Sequence, residues 1–325
     1  MWFDREHIEW PMVSPEENMR RLTLPAGRLD MVLDTDTYNE VDDQFALAYA
    51  LLSPQRLNVQ AIYAAPFWNG RSSGPADGME KSYREIVRLL EKLGRRPEGF
   101  ALRGSASFMR QADEPVPSEA ANDLIARARA HDAEHPLVVV AIGAITNVAS
   151  AILMAPDIIG RMAVVWLGGQ PTSYPTAREF NLSQDLHAAR TVLDCGVALH
   201  LIPCLGVASH LLTTPAELER FIGGKNPLCD TLIELFSAYA SDHFAWAKEI
   251  WDVAAIAYLI QPEWIPSKIM HSPLLTDDSA WGRDERRHWI REAYFCKRNP
   301  IFGDLFTKLA AFEGAGKKGA ESGER

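Results

Sequence analysis

The sequence predicts an α/β protein with an open, mostly parallel central sheet and helices on both faces. Three observations predict it. Short apolar runs rich in β-branched residues recur along the chain, most are followed by a stretch of helical period, and no repeat or low-complexity linker interrupts the alternation. Strands covered on both faces read as continuous apolar runs, and helices between them carry the chain back to a parallel neighbour.

Taken in order, residues 1–27 read as an irregular N-terminal arm. Met31–Asp34, Leu57–Ala64, Leu137–Ile142, Met162–Leu167 and Ala198–Pro203 read as buried strands. Asp42 to Leu52 is apolar nearly all round, with Phe45, Leu47, Tyr49 and Leu51, and so predicts a buried helix. Met79–Leu93 sets Tyr83, Ile86, Val87, Leu90 and Leu93 on one helical stripe, with Lys81, Arg84 and Glu91 elsewhere. Ser118–Arg129, Thr146–Met154 and Gln184–Leu193 follow the same logic. Thr214-Pro215-Ala216-Glu217 reads as a capping box with Pro at the first helical position. One domain is expected over 28–312, followed by a disordered tail at 313–325 rich in Gly, Lys and Glu.

Composition narrows the function. The chain has 325 residues and a formal net charge of −10. A compact chain of this length buries roughly 75% of its unfolded surface, so it folds without a metal or disulfide staple. The acidic balance, with no basic cluster outside the short tail, argues against nucleic-acid binding. Met1 to Arg5 include Asp4 and no apolar core, so no signal peptide is expected. The longest apolar run, Leu137 to Ile145, falls far short of the about 20 residues that cross a bilayer, so no membrane partner is expected. Cys195, Cys204, Cys229 and Cys296 are far apart with no CxxC pair, a pattern of buried thiols in a reducing, cytoplasmic setting.

The sharpest feature follows the first strand, in Asp34-Thr35-Asp36-Thr37-Tyr38-Asn39-Glu40-Val41-Asp42-Asp43. Two carboxylates end the strand, Glu40 adds a third from the loop, and two more open a buried helix. The helix dipole favours their ionised form by about 0.3–1 kcal/mol. Desolvating ions costs several kcal/mol each, so either some carboxyls are protonated or a cation sits among them. Oxygen ligands with no His or Cys at ligand spacing select a hard ion, Ca²⁺ or Mg²⁺. The bland alternative is a helix cap plus solvated acids; five acids in this one segment favour the metal. Tyr38 breaks the Asp-x-Asp-x-Thr/Val pattern of dehalogenase-like phosphatases. A glycosyltransferase Asp-x-Asp at Asp34-Thr35-Asp36 lacks any phosphate-cradling Gly-rich loop.

With its later segments, the chain resembles the inosine–uridine-type nucleoside hydrolase family. The signature strand, Asp-x-Asp, loop and Asp-Asp is present, with the loop two residues longer than usual. Gly143-Ala144-Ile145-Thr146-Asn147, Glu179-Phe180-Asn181 and Trp251-Asp252-Val253-Ala254-Ala255-Ile256-Ala257 match three further family segments in order. The resemblance covers about residues 28–312 and implies a Rossmann-related fold and hydrolysis of the N-glycosidic bond of a nucleoside, giving ribose and free base. It also implies a Ca²⁺ held by Asp36, Asp43, Asp252 and the main-chain carbonyl of Ile142, with Asp36 taking a proton from the attacking water. Asp42, Glu179 and Asn181 would hold the ribose hydroxyls, and Asp34 would support the cluster from behind. Carboxylates near the ring suit the oxocarbenium-like sugar of such a cleavage. A homodimer or homotetramer is expected from the resemblance alone.

The chain departs from the family at two places. Trp251 stands where many members carry a His thought to help the base leave; it can stack on a base, and a purine-preferring branch is similar here, which favours a purine ribonucleoside. His243 is then the best spare acid. Ser173 replaces the Asn expected six residues before Glu179, so the sugar 5′ end is expected to be held differently. Asn69, after the second strand, is a further candidate for sugar binding. These departures keep a second reading open, a catalytically weakened, metal-dependent sugar- or nucleoside-binding protein on the same fold.

Overall fold

The computed structural model describes residues 10, 11 and 13–314; the rest of the N-terminal arm and of the expected tail lies outside the described residues. The order along the chain is α1 (Pro15–Arg21), β1 (Leu29–Thr35), α2 (Asp42–Leu51), β2 (Leu57–Ala64), α3 (Pro75–Lys92), β3 (Ala101–Arg103), α4 (Glu119–Arg129), β4 (Leu137–Ala141) and α5 (Thr146–Met154). It continues with β5 (Met162–Leu167), α6 (Phe180–Gln184), α7 (Leu186–Asp194), β6 (Ala198–Ile202), β7 (Leu212–Thr213), α8 (Pro215–Ile222), α9 (Pro227–Ser237), β8 (Lys248–Glu249) and α10 (Val253–Ile260). The chain ends through β9 (Ser267–His271), β10 (Leu274–Leu275), β11 (Trp281–Gly282), β12 (Trp289–Ala293) and α11 (Arg298–Ala311).

Eight strands form the main sheet in the order β3-β2-β1-β4-β5-β6-β12-β9. All neighbours are parallel except the edge pair β12–β9. The alternating faces of each strand separate two cores. Met31 and Leu33 of β1 pack with α2, α3, α9, α10 and α11 on one face, while Val32 packs with α4, α5 and α7 on the other. Chain order runs outward from β1 to β3 on one side and from β4 to β6 on the other. The strand order therefore reverses between β1 and β4, the crevice where open sheets of this kind place their ligands.

The expected α/β architecture is the one observed, and all five expected strands form. Differences have local causes. Within the arm expected to be irregular, α1 forms because Ser14 caps it, accepting from the Glu17 N–H, and Pro15 opens it. Asn18 Oδ1 accepts from the Trp289 backbone N–H at 2.6 Å, which ties α1 to β12. Only half of the expected capping box is made. Thr214 accepts from the Glu217 N–H, but the Glu217 carboxylate turns to Thr213 and Arg298. The helix expected over Gln184–Leu193 is split, because Asp185 leaves helical backbone to cap α7 at the Ala188 N–H. Strands β9 and β12 carried no separate reading in the sequence, since neither is a continuous buried run: β9 has no buried residue and β12 alternates at its start.

Candidate active site

A cavity of about 230 Å³ opens at the carboxyl ends of β1 and β4. Its floor is built from four separate stretches of chain. Asp36 follows β1, Asp42 and Asp43 open α2, Ile142 and Gly143 follow β4, and Asp252 immediately precedes α10. Asp36, Asp42, Asp43 and Asp252 are all buried. Their approach is close: Asp42, Asp43 and Asp252 each offer a carboxylate oxygen within 4.8 Å of the others. Gly143 makes room for Asp36, since a Cβ there would lie 3.1 Å from the Asp36 carboxyl carbon.

Behind this floor lies a hydrogen-bonded support. The Asp34 side chain accepts from Asn147 Nδ2 at 2.7 Å, and Asn147 Oδ1 accepts from the Ser105 N–H. Thr146 donates to Asp185, which also caps α7. The Thr-Asn pair after β4 thus fixes the first strand's end to two other elements. Thr35 donates to Asp43 and orients it. Glu179 caps α6 and accepts from three backbone N–H groups, those of Gly169, Asn181 and Leu182.

Charge in the pocket is strongly perturbed. Burial, then the Asp43, Asp42, Glu40 and Glu179 carboxylates, pushes Asp36 well above the ordinary carboxylate range. Burial, reinforced by neighbouring acids, does the same to Asp43 and Asp252. Asp42 is pushed up to about 7 by burial and by Glu40, against the nearby Lys248 ammonium. Lys248 pairs with Glu40 and lies 4.4 Å from the Tyr239 ring, a buried cation beside the acids.

Both carboxylate oxygens of Asp36 are buried without a hydrogen-bond partner. Orphaned oxygens of this kind are costly unless something outside the chain completes them. Together with the Asp42, Asp43 and Asp252 cluster and the Ile142 carbonyl at the cavity wall, they form an all-oxygen set that fits a hard divalent cation.

The structure brings together Asp36, Asp42, Asp43, Ile142, Glu179, Asn181, Trp251 and Asp252, all lining the cavity. Asn181 Nδ2 donates to the carbonyls of Ile142 and Leu167, which aims its Oδ1 elsewhere. Two expected residues are not brought in. His243 lies outside the cavity lining, exposed, with Nε2 at 2.8 Å from the Ser237 carbonyl and its ring stacked on Trp246. Asn69 stands one shell back, donating to Asn39 Oδ1 at 2.6 Å. Ser173 is exposed and away from the lining, because Thr172 beside it is tied to Glu292 through its N–H and its hydroxyl.

Several lining residues escaped sequence reasoning. Asn39 belongs to the lengthened loop after β1, and that extra length was the available signal; Glu40 beside it, already counted among the acids of that segment, lines the cavity too. Leu167 ends β5 and Gln170 follows it, while Cys204 and Leu205 follow β6. The rule that ligands bind beyond strand ends pointed there without choosing among them. Cys204 is a buried free thiol with Glu179 beside it, and burial pushes its pKa well up.

Fold and site thus define a doubly wound α/β protein with a carboxylate pocket at its switch point, and comparison with known proteins agrees. Residues 31–293 match the family model described as inosine-uridine preferring nucleoside hydrolase. A pyrimidine-specific ribonucleoside hydrolase RihA of Klebsiella pneumoniae is 30% identical, over 72% of this chain and 80% of the relative. Among solved structures, a plant nucleoside hydrolase, PpNRh1, superposes with a TM-score of 0.68 at 18% identity, over 87% of this chain and 99% of that one. A purine-preferring ribonucleoside hydrolase from Gardnerella vaginalis gives 0.67 at 20% identity, over 87% of this chain and 98% of that one. The two structures show the shared fold. The chain belongs to the inosine-uridine preferring nucleoside hydrolase family.

Proposed function

We propose that this protein hydrolyses the N-glycosidic bond of a ribonucleoside in a Ca²⁺-dependent reaction, with a purine favoured by Trp251. One observation carries the reading: Asp36 is buried with both oxygens unpartnered, against a cluster of three further aspartates. Asp36, Asp43, Asp252 and the Ile142 carbonyl would hold the cation. When bound, it neutralises these carboxylates and makes water easier to deprotonate.

The chain's own residues do the rest. Asp36 takes a proton from the water that adds to the anomeric carbon, and the base leaves with the bonding pair. Asp42, Glu179 and the free Oδ1 of Asn181 accept from the ribose hydroxyls and hold the ring. The positive charge that develops on the sugar faces carboxylates already in place, which need no reorganisation at the moment of reaction. Leu205 and Trp251 give the cavity an apolar wall for the base. A purine presents the larger stacking face. Four buried, unpaired cysteines fit a reducing cytoplasmic setting.

A second reading, sugar binding without turnover, is favoured by the placement of His243 outside the cavity, which leaves the base without a histidine acid. The test is reducing-sugar release over inosine, guanosine, adenosine, uridine and cytidine, with and without chelator. Release that stops with chelator and returns with Ca²⁺ supports hydrolysis. No release from any nucleoside, alongside calorimetric binding of ribose, supports the binder.

A further inference from the structure

We propose that Asn39, in the lengthened loop after β1, binds the substrate's 5′-hydroxyl through its side-chain N–H; this rests on the ribonucleoside reading above. The orientation of the amide follows from a chain of one-way hydrogen bonds. The Arg71 backbone N–H donates to Asn69 Oδ1 at 2.8 Å, which fixes Asn69 with its NH₂ on the other side. That NH₂ donates to Asn39 at 2.6 Å, so the atom facing it must be the acceptor, Oδ1. Asn39 Nδ2 is then left as a donor, and it has no partner among the described residues although the residue is only 7% exposed and lines the cavity.

Donors are scarce in this pocket. With the cation bound, its ionised acids and the Ile142 carbonyl only accept. Gln170 Nε2 gives one of its two N–H groups to the Arg178 carbonyl, and Asn181 Nδ2 gives both of its own to the carbonyls of Ile142 and Leu167. Apart from the Trp251 indole and the second N–H of Gln170, the uncommitted side-chain N–H groups of the lining among the described residues are those of Asn39. The acids at the floor account for the 2′,3′-diol. Ser173, at the place expected to reach the 5′ end, is exposed and outside the lining. The 5′-hydroxyl is therefore the sugar hydroxyl left over, and Asn39 is the lining amide whose two N–H groups have no partner among the described residues. Asn69 acts as a positioning residue that keeps the Asn39 amide from turning over.

The test compares a nucleoside that the wild type cleaves with its 5′-deoxy and 2′-deoxy counterparts, in wild type, Asn39→Ala, Asn39→Ser and Asn69→Ala. A site built to bond a hydroxyl loses about 10–100-fold in kcat/KM when either partner of the bond is missing. The wild type should therefore discriminate against the 5′-deoxy substrate by that factor. Asn39→Ala should lose the same factor on the parent and under about 2-fold on the 5′-deoxy substrate, while its 2′-deoxy discrimination stays as in the wild type. Asn69→Ala should fall between, chiefly in KM. An equal loss of Asn39→Ala on parent and 5′-deoxy substrates, or full retention of 5′ discrimination in a variant with unchanged melting temperature, overturns the assignment. Calorimetric binding of methyl ribofuranoside and its 5-deoxy analogue reads the same contact without turnover. Wild type that releases no sugar but prefers the furanoside with the 5-hydroxyl, a preference lost in Asn39→Ala, keeps the contact and overturns only the hydrolase. Wild type that neither releases sugar nor distinguishes the two overturns both.

Discussion

Substituting Gly143 with Ala tests whether Asp36 works where the structure puts it. Gly143 has no left-handed backbone, so Ala is tolerated by the main chain and the added methyl is the whole perturbation. An ideal Cβ would meet the Asp36 Cγ at 3.1 Å and Cβ at 3.2 Å, and the Ala65 Cβ at 3.2 Å. Ordinary carbon–carbon contact begins near 3.5 Å, so the surroundings must yield by roughly 0.3–0.5 Å. Ala65 is fully buried and has no rotamer to change, whereas the Asp36 carboxylate is held by no hydrogen bond. Asp36 is the part that moves. Overpacking of this size costs about 1–3 kcal/mol of stability. A misplacement of about 1 Å costs about 100-fold in rate, and half of that about 10-fold. The assay is initial-rate kinetics on a cleaved nucleoside at saturating Ca²⁺, with melting temperature measured beside it. Gly143→Ala should stay folded, lose about 10-fold in kcat and hold Ca²⁺ less tightly. A stable variant with unchanged kcat and unchanged Ca²⁺ affinity would refute the placement of Asp36.

Two other predictions follow from groups in different parts of the sheet. Replacing Trp251 with Ala removes a stacking surface worth about 1–3 kcal/mol, so KM should rise more for purine than for pyrimidine nucleosides; equal effects on both would separate Trp251 from base preference. His200, buried against Tyr258, is pushed down to about 3 from 6.5 by burial and then by Arg291. Its folded-state pKa lies below the unfolded one, so stability is fully present above about pH 6.5 and declines as pH falls towards 3, by about 2 kcal/mol at about pH 5. Denaturant unfolding of wild type and His200→Asn should therefore show a gap that shrinks by that amount between about pH 7.5 and 5, and a constant gap would show that His200 does not titrate this way.

The parts of the fold legible in the sequence were those set by local chemistry. Val138, Val139 and Val140 can be nothing but a doubly covered strand, and Asp42-Asp43 ahead of Phe45 and Leu47 marks a buried helix start. The floor of the site was legible for the same reason, since several acids at one strand end are hard to explain otherwise. What stayed illegible depends on distant partners. Nothing in the segment around Lys248 says that its ammonium pairs with Glu40, 208 positions away. Asn69 was singled out as an amide for the sugar, and the structure sets it behind Asn39, because the length of the loop carrying Asn39 is visible in the sequence but its path is not. His243 was the best spare acid only by its place just before the Trp251-Asp252 pair, and the fold shows it exposed with its ring turned onto Trp246.

The acid cluster sets activity against stability, and Asp252 separates the two. Its carboxylate comes within 4.8 Å of those of Asp42 and Asp43. Two unit charges at that distance repel by about 3 kcal/mol at an effective dielectric of 20, an upper figure because crowded carboxyls take up protons instead of standing fully charged. A fold that assembled such a set for stability alone would be better served by amides. Asp252→Asn keeps the shape and removes one charge, so in chelator it should unfold about 1–3 kcal/mol later than the wild type. The same substitution should abolish sugar release, because the amide is a poorer partner for a hard cation. Saturating Ca²⁺ should reverse the order of melting temperatures, since a ligand stabilises the protein that binds it more tightly. A variant less stable than wild type in chelator would mean that Asp252 earns its place through protein hydrogen bonds, and that the cluster holds itself together without a cation.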